Sequence, residues 1–378
     1  MNSSLNLGSL DSVAILDALP DGAYVTDRDR RIVFWNRAAE QITGWRRDDM
    51  LGHCCKDNFL CHIDKDGHPL CGYEHCPLHR AMVTGTRSDM PHLLFAQSKD
   101  GRRIPVEVSV SPLCSEAGNV IGGIEVFRDL TPAFEDLNRA RIIQRMALGM
   151  KLPADPRARM AVRYTPHDEV GGDFYRIEAI DEDRYAVLIA DVRGHGVPSA
   201  LYAMQLCALW EDARATLGQP AAFLSFLNHR ASSLVQNEGG YFATALHAVY
   251  NAVTGGIVCA SAGHPAPFLL RGRSRIDVLD AKGAALGLVP DAHYEAVESR
   301  LGPGDTMLLY TDGAFEVLNA ALEELLEDGL RRIVGAQDLS TGVRALAAIE
   351  ESLLVYSNNL ALPDDLTLLS IHRPAAKS

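Results

Sequence analysis

The chain has no long basic run and too few positive residues to balance its carboxylates: 36 Lys and Arg stand against 49 Asp and Glu, a formal net charge of −13. That balance excludes the positive footprint by which nucleic-acid-binding proteins are read. No apolar run reaches the length of a membrane-spanning helix. Met1–Leu16 lacks both a basic start and a continuous apolar centre, so no signal peptide is expected there. These absences predict a cytoplasmic protein with no nucleic-acid and no membrane partner. There is no internal repeat and no low-complexity tract. Cysteine is sparse outside one stretch: five of the eight fall between Cys54 and Cys76. What remains is 378 residues, 47% of them apolar, enough for two or three domains with real cores.

Carboxylates recur at the ends of hydrophobic runs, usually beside glycine. The segments are Val170-Gly171-Gly172-Asp173-Phe174-Tyr175, Asp191-Val192-Arg193-Gly194-His195, Leu309-Tyr310-Thr311-Asp312-Gly313 and Pro363-Asp364-Asp365-Leu366-Thr367. An aspartate there stops a strand and points an oxygen away from the core. If the fold gathers Asp173, Asp191, Asp312 and Asp364, each pair about 4 Å apart repels by about 4 kcal/mol at an effective dielectric of about 20. Bound hard cations, which take oxygen ligands, offset such repulsion. The pattern predicts a hard-metal site.

The strings VGGDFY, ADVRGHG, SAGHPAP, LYTDGAFE and DDLTLLSI occur in this order. The set resembles the SpoIIE/RsbU-like branch of the PPM-type metal-dependent serine/threonine phosphatases. The resemblance implies two stacked antiparallel sheets flanked by helices over residues 155–375, a PPM-type β-sandwich. It implies two Mn²⁺ or Mg²⁺ ions, bridged by Asp191, with the carbonyl of Val192 as a further ligand. Asp173 then serves the second ion, and Asp312 and Asp364 the first. Asp365 sits beside the ligand position and can exchange roles with Asp364. Asp191 and Asp173 are the residues expected to carry catalysis. Many relatives have a histidine close behind the bridging aspartate; Arg193 fills that spacing here, with His195 two residues farther on. Arg193, and Arg163 near the start of the domain, are the phosphate-binding candidates. For His195 and His264, loop support and catalysis are both open.

Residues 11–132 read as a small α+β unit. Ala23–Thr26 and Ile32–Trp35 are strands, Asn36 caps a helix closed by Gly44, and Ile104–Val110 alternates valines with polar residues before a Gly118-Asn119 turn and Val120–Phe127. This order resembles a PAS sensor domain, giving an RsbP-like architecture. Cys54, Cys55, Cys61, Cys71 and Cys76, with five histidines between His53 and His79, fall where such a domain surrounds its ligand cavity. They offer soft ligands for Zn²⁺ or an iron–sulfur cluster, a histidine for haem, or a thiol pair for reversible oxidation. The spacing is not a CxxC…CxxC signature, and reduced cysteines without a cofactor are the plain alternative.

Residues 133–152 form an amphipathic linker helix ended by Pro153 and Pro156. Its narrow apolar stripe suits a coiled-coil seam, with Leu137 and Ile143 in it, and so a homodimer through the sensor domain and linker; a linker helix packed on its own domains is the plain alternative. The expected protein is a signal-regulated phosphatase acting on a separate phosphoprotein. By the resemblance this is an anti-sigma-factor antagonist of the STAS type. The alternative is a redox or gas sensor whose phosphatase-like domain mainly binds a partner.

Overall fold

The computed structural model describes residues 12–57, 59–64, 67–72, 75–88, 90–149, 151–235, 241–272, 275–358 and 361–375. The chain divides into two compact units, Met1–Asp136 and Leu137–Ser378, a division inside the segment expected to be a linker.

The first unit contains α1 (Ser12–Asp17), β1 (Gly22–Asp27), β2 (Ile32–Trp35), α2 (Arg37–Thr43), α3 (Arg47–Met50), α4 (Pro77–Thr84), β3 (His92–Gln97), β4 (Arg103–Cys114) and β5 (Val120–Asp129). Its antiparallel sheet has the order β2-β1-β5-β4-β3. Val106, Val108 and Val110 alternate onto the face that packs with Tyr24, Trp35, Leu78 and Phe127. Asn36 is buried and saturated: its Oδ1 accepts from Ala39 N at 2.8 Å and Ala23 N at 2.9 Å, and its Nδ2 donates to the carbonyls of Leu16 and Asp21. It caps α2, and Gly44 closes that helix at φ 75°.

Helix α5 (Thr131–Leu148) follows. Along it Leu137 and Arg141 are half-buried and Gln144 and Leu148 buried, whereas Ile142, Ile143 and Met146 are exposed. Leu137 and Ile143 therefore lie on different faces, not in one seam. The cause is Gln144: the inward position three residues after Arg141 is polar, so apolarity alone misplaces the face.

The second unit holds two five-stranded antiparallel sheets. They are built from β6 (Arg159–Thr165), β7 (Phe174–Ala179), β8 (Arg184–Val192), β9 (Ala243–Asn251), β10 (Gly256–Ala262), β11 (Phe268–Arg271), β12 (Arg275–Val278), β13 (Val297–Arg300), β14 (Thr306–Tyr310) and β15 (Leu366–His372). The orders are β13-β10-β9-β8-β7 and β12-β11-β14-β15-β6. Strand β8 shows why its sequence is continuously apolar. Val187 and Ile189 meet Met307, Leu309, Leu369 and Ile371 between the sheets. Ala186, Leu188, Ala190 and Val192 face outward onto α6 (Val197–Asp212) and α7 (Pro220–Val235). Both faces are buried, so the period of two carries no polar signal. On the other side, Leu366 and Leu368 pack against α8 (Leu326–Gly335) and α9 (Val343–Tyr356). The result is helix, sheet, sheet, helix.

Candidate metal centre

The ends of β8 and β14 and the starts of β7 and β15 carry aspartates whose charges act on one another. Asp191 pairs with Thr244 near the end of β8, Asp312 opens a 3-10 turn after β14, and Asp364 and Asp365 precede β15. Asp173 is 1% exposed, in a site where an ionised carboxylate needs compensation. Its Oδ2 accepts from Thr311 Oγ1 at 2.8 Å and Thr367 Oγ1 at 2.7 Å. Its Oδ1 is buried with no hydrogen-bond partner.

The carboxylates sense one another. Burial and then Asp191 and Asp365 push the Asp173 carboxyl well above the usual range. Asp191 is pushed up to about 8, first by burial and then by Asp312, Asp364, Asp365 and Glu316. Asp312 rises to about 6 through burial, Asp364 and Glu316. Negative charge this concentrated, with one buried oxygen left unpartnered, fits the oxygen donor set of hard divalent cations.

Asp365 does a different job from its neighbours. It is 2% exposed, and its oxygens accept from the backbone N–H groups of His167 at 2.7 Å, Gly172 at 2.5 Å and Asp173 at 3.3 Å. It fixes the Gly171–Asp173 loop. Gly171 has no room for a side chain, because a Cβ there would lie 2.5 Å from both Asp365 Oδ2 and the Tyr164 hydroxyl. The loop is held from its other side by Gln144, whose Nε2 donates to the Gly171 carbonyl and whose Oε1 accepts from the Gly171 N–H. The Val192 carbonyl stands over Gly172, 2.8 Å from where a Cβ would be.

Arg193 is exposed and lies over the Phe242 ring, 5.3 Å from its centroid. Arg163 donates through Nε to Glu350 at 2.5 Å, and Thr165 donates to the other oxygen of that buried carboxylate. His195 is exposed, with Nδ1 2.7 Å from Asp168 Oδ2. His264 is buried; its Nδ1 pairs with Thr244 Oγ1 at 2.8 Å, and burial lowers its pKa to about 3, so it stays neutral. That geometry supports the strand beside Asp191.

Sequence reasoning missed Glu316, Gln144, Thr311 and Thr367. Glu316 closes the string LYTDGAFE one turn after Asp312, and its charge reaches Asp191 and Asp312. The two threonines are buried polar residues beside buried apolar strands, a signal for a partnered hydroxyl.

In the first unit no disulfide joins Cys54, Cys55, Cys61, Cys71 or Cys76. Cys54 Sγ donates to the Asp29 carbonyl at 3.7 Å, and Cys71 Sγ accepts from His62 N at 3.2 Å. Burial raises the Cys55 and Cys76 thiols, and lifts Cys71 to about 11. Glu125 is 2% exposed and raised to about 7 by burial, and His62 is lowered to about 4. His62 Nε2 and Glu125 Oε1 lie 3.8 Å apart, and neither has a hydrogen-bond partner. Among the described residues, no three Cys, His, Asp or Glu side chains of this unit bring ligand atoms within 4.8 Å of one another.

Comparison with known proteins matches both halves. The sequence profile of the PAS fold matches residues 16–133. The phosphoserine phosphatase RsbU of Bacillus subtilis (strain 168) is 28% identical over 241 residues, covering 63% of this chain and 70% of that protein. The phosphoserine phosphatase RsbP of the same organism is 29% identical over 196 residues, 51% of this chain and 48% of RsbP, so the chain spans about half of that relative. The SiaA-PP2C domain of Pseudomonas aeruginosa shares the fold at a TM-score of 0.55 and 23% identity, over 64% of this chain and 97% of that one. The PP2C domain with a regulatory fragment of SpoIIE from Bacillus subtilis does so at 0.51 and 15%, over 73% and 71%. The profile described as stage II sporulation protein E (SpoIIE) matches residues 181–374, just over half of the chain. An N-terminal PAS fold thus precedes a PP2C-like domain, and the chain belongs to the SpoIIE family.

Proposed function

We propose that this protein is a PAS-regulated, metal-dependent phosphatase of phosphoserine or phosphothreonine in a protein substrate. The unpartnered Asp173 Oδ1, buried among repelling carboxylates, carries this reading. Asp173, Asp191, the Val192 carbonyl, Asp312 and Asp364 would hold two Mn²⁺ or Mg²⁺ ions, with Asp365 holding the loop that carries Asp173. Such an ion pair supplies an activated water and a clamp for phosphoryl oxygens. The chain's own part is positioning. Thr311 and Thr367 fix Asp173, and Arg193 offers an exposed fork of donors for a phosphate.

The matched relatives RsbU and RsbP are named as phosphoserine phosphatases, which supports the reaction class; the substrate proposed here, from the sequence resemblance, is a phosphorylated anti-sigma-factor antagonist of the STAS type. Among the described residues no helix is long and apolar enough to cross a membrane; a cytoplasmic location is part of the proposal. The PAS unit is proposed to sense the cue. Its buried and half-buried thiols around Glu125 and His62 are the place where Zn²⁺, an iron–sulfur cluster or haem, or thiol oxidation, would act. The deciding experiment is Mn²⁺-dependent release of phosphate from a phosphoserine protein by the full chain, with Asp191→Asn as control. Equal turnover in wild type and variant rules the reading out. For the sensor, Cys71→Ser with Cys76→Ser should lower bound Zn or Fe; unchanged metal content leaves the thiols without a cofactor.

A further inference from the structure

Three side chains beside the carboxylate group have no part in the scheme above. His167 and Asp168 lie between β6 and β7, and His195 lies between β8 and α6. One ligand atom from each is within 4.8 Å of the other two, the only such three-residue grouping among the described residues. We propose that His167, Asp168 and His195 form a separate cation site for a borderline divalent ion such as Zn²⁺.

The hydrogen bonds prepare these residues as ligands. His167 Nδ1 is 2.6 Å from the Leu362 carbonyl, which can only accept, so Nδ1 carries the proton. Nε2 therefore holds a lone pair, and it faces Asp168 Oδ1 at 3.9 Å. A ring nitrogen donating to a backbone carbonyl while the other is free is the outer-shell arrangement of a metal-bound histidine. His195 Nδ1 and Asp168 Oδ2, 2.7 Å apart, share a proton that a cation would replace. The two imidazoles meet edge to face, centroids 5.4 Å apart at 77°. Asp364 and Asp365 add negative potential at His195.

Two imidazole nitrogens and one carboxylate suit Zn²⁺ or Co²⁺, and three protein ligands leave a position for water or a phosphate oxygen. The aspartate cluster offers only oxygen and suits Mg²⁺ or Mn²⁺. The two sites thus select different metals.

The test is equilibrium dialysis of the full chain against Zn²⁺ in excess Mg²⁺, followed by elemental analysis. Wild type should retain one more zinc per chain than His167→Ala with His195→Ala. Zinc held by the cysteines is common to both proteins and cancels. The shape-conserving Asp168→Asn should weaken the difference site by at least about 10-fold, which guards against misfolding of the double variant. Equal zinc content in wild type and in both variants overturns the site. So does loss of the extra zinc in Asp191→Asn, which would assign it to the aspartate cluster. Activity is not the readout, so failure here leaves the proposed phosphatase untouched.

Discussion

Gln144 and Gly171 are joined by two hydrogen bonds, 2.6 Å from Nε2 to the carbonyl and 3.2 Å from the N–H to Oε1. Through them helix α5 holds the loop whose next two N–H groups bind Asp365. Gln144→Ala leaves two buried backbone groups unpaired, at a cost of about 1–3 kcal/mol for each unsatisfied group. The loop carrying Asp173 should loosen, and the Mn²⁺ concentration for half-maximal activity should rise several-fold. A Mn²⁺ titration of activity, with thermal unfolding in chelator, separates this from a general loss of stability. An unchanged titration would show that α5 does not support the site.

The metal-free protein should lose stability between about pH 6.5 and 8. A carboxyl whose folded pKa lies above its unfolded value binds more protons folded than unfolded, so stability falls as pH rises between the two values. Asp191, raised from 3.8 to about 8, spans the window. The buried histidines His62, His247 and His264 have lowered pKa values; their contribution rises with pH only up to their unfolded 6.5 and is then flat. Glu125, His195, Asp173 and Asp365, all raised, act in the same direction as Asp191. Denaturation in chelator should show a fall of about 1–2 kcal/mol from Asp191 across the window. Asp191→Asn should remove that part of the slope, and an identical slope in that variant would refute the repulsion.

Much of this was legible because polar residues interrupt apolar runs at informative places. Asn36 and Gly44 mark both ends of α2, and the aspartates mark strand ends. Three things were not legible. The short edge strands β12 and β13 are polar and half-exposed, so they carry no run to read. Helix α8 begins at Leu326 with φ 58° at that residue and no capping side chain, so its start has no signal. The roles of Asp364 and Asp365 cannot be told from adjacency, because only the fold shows which one faces backbone N–H groups.

The outward face of α5 is where a dimer would form. Ile142, Ile143 and Met146 are 49%, 61% and 76% exposed, an apolar group that a partner helix could cover. Ile142→Asp with Met146→Asp puts charge there while leaving Gln144 and Leu148 inward. Light scattering should show the variant as a monomer and the wild type as a dimer at micromolar concentration. A monomeric wild type would end this reading.

Arg193 and Arg163 should separate cleanly when substituted. Arg193 has its guanidinium exposed over Phe242, free to meet a phosphate, and hydrogen bonds to charged groups contribute about 1.5–3 kcal/mol. Arg193→Ala should therefore raise KM for a phosphoserine protein by about 10-fold or more with little change in kcat. Arg193→Lys should recover only part of this, because a lysine cannot offer two parallel donors. Arg163 instead pairs with Glu350, whose side chain is 8% exposed. Arg163→Ala leaves that carboxylate with Thr165 alone, so the expected effect is a lower Tm with KM nearly unchanged. Steady-state kinetics beside thermal unfolding decide the matter. A large KM effect at Arg163 with none at Arg193 would move the phosphate clamp from the loop after β8 to strand β6.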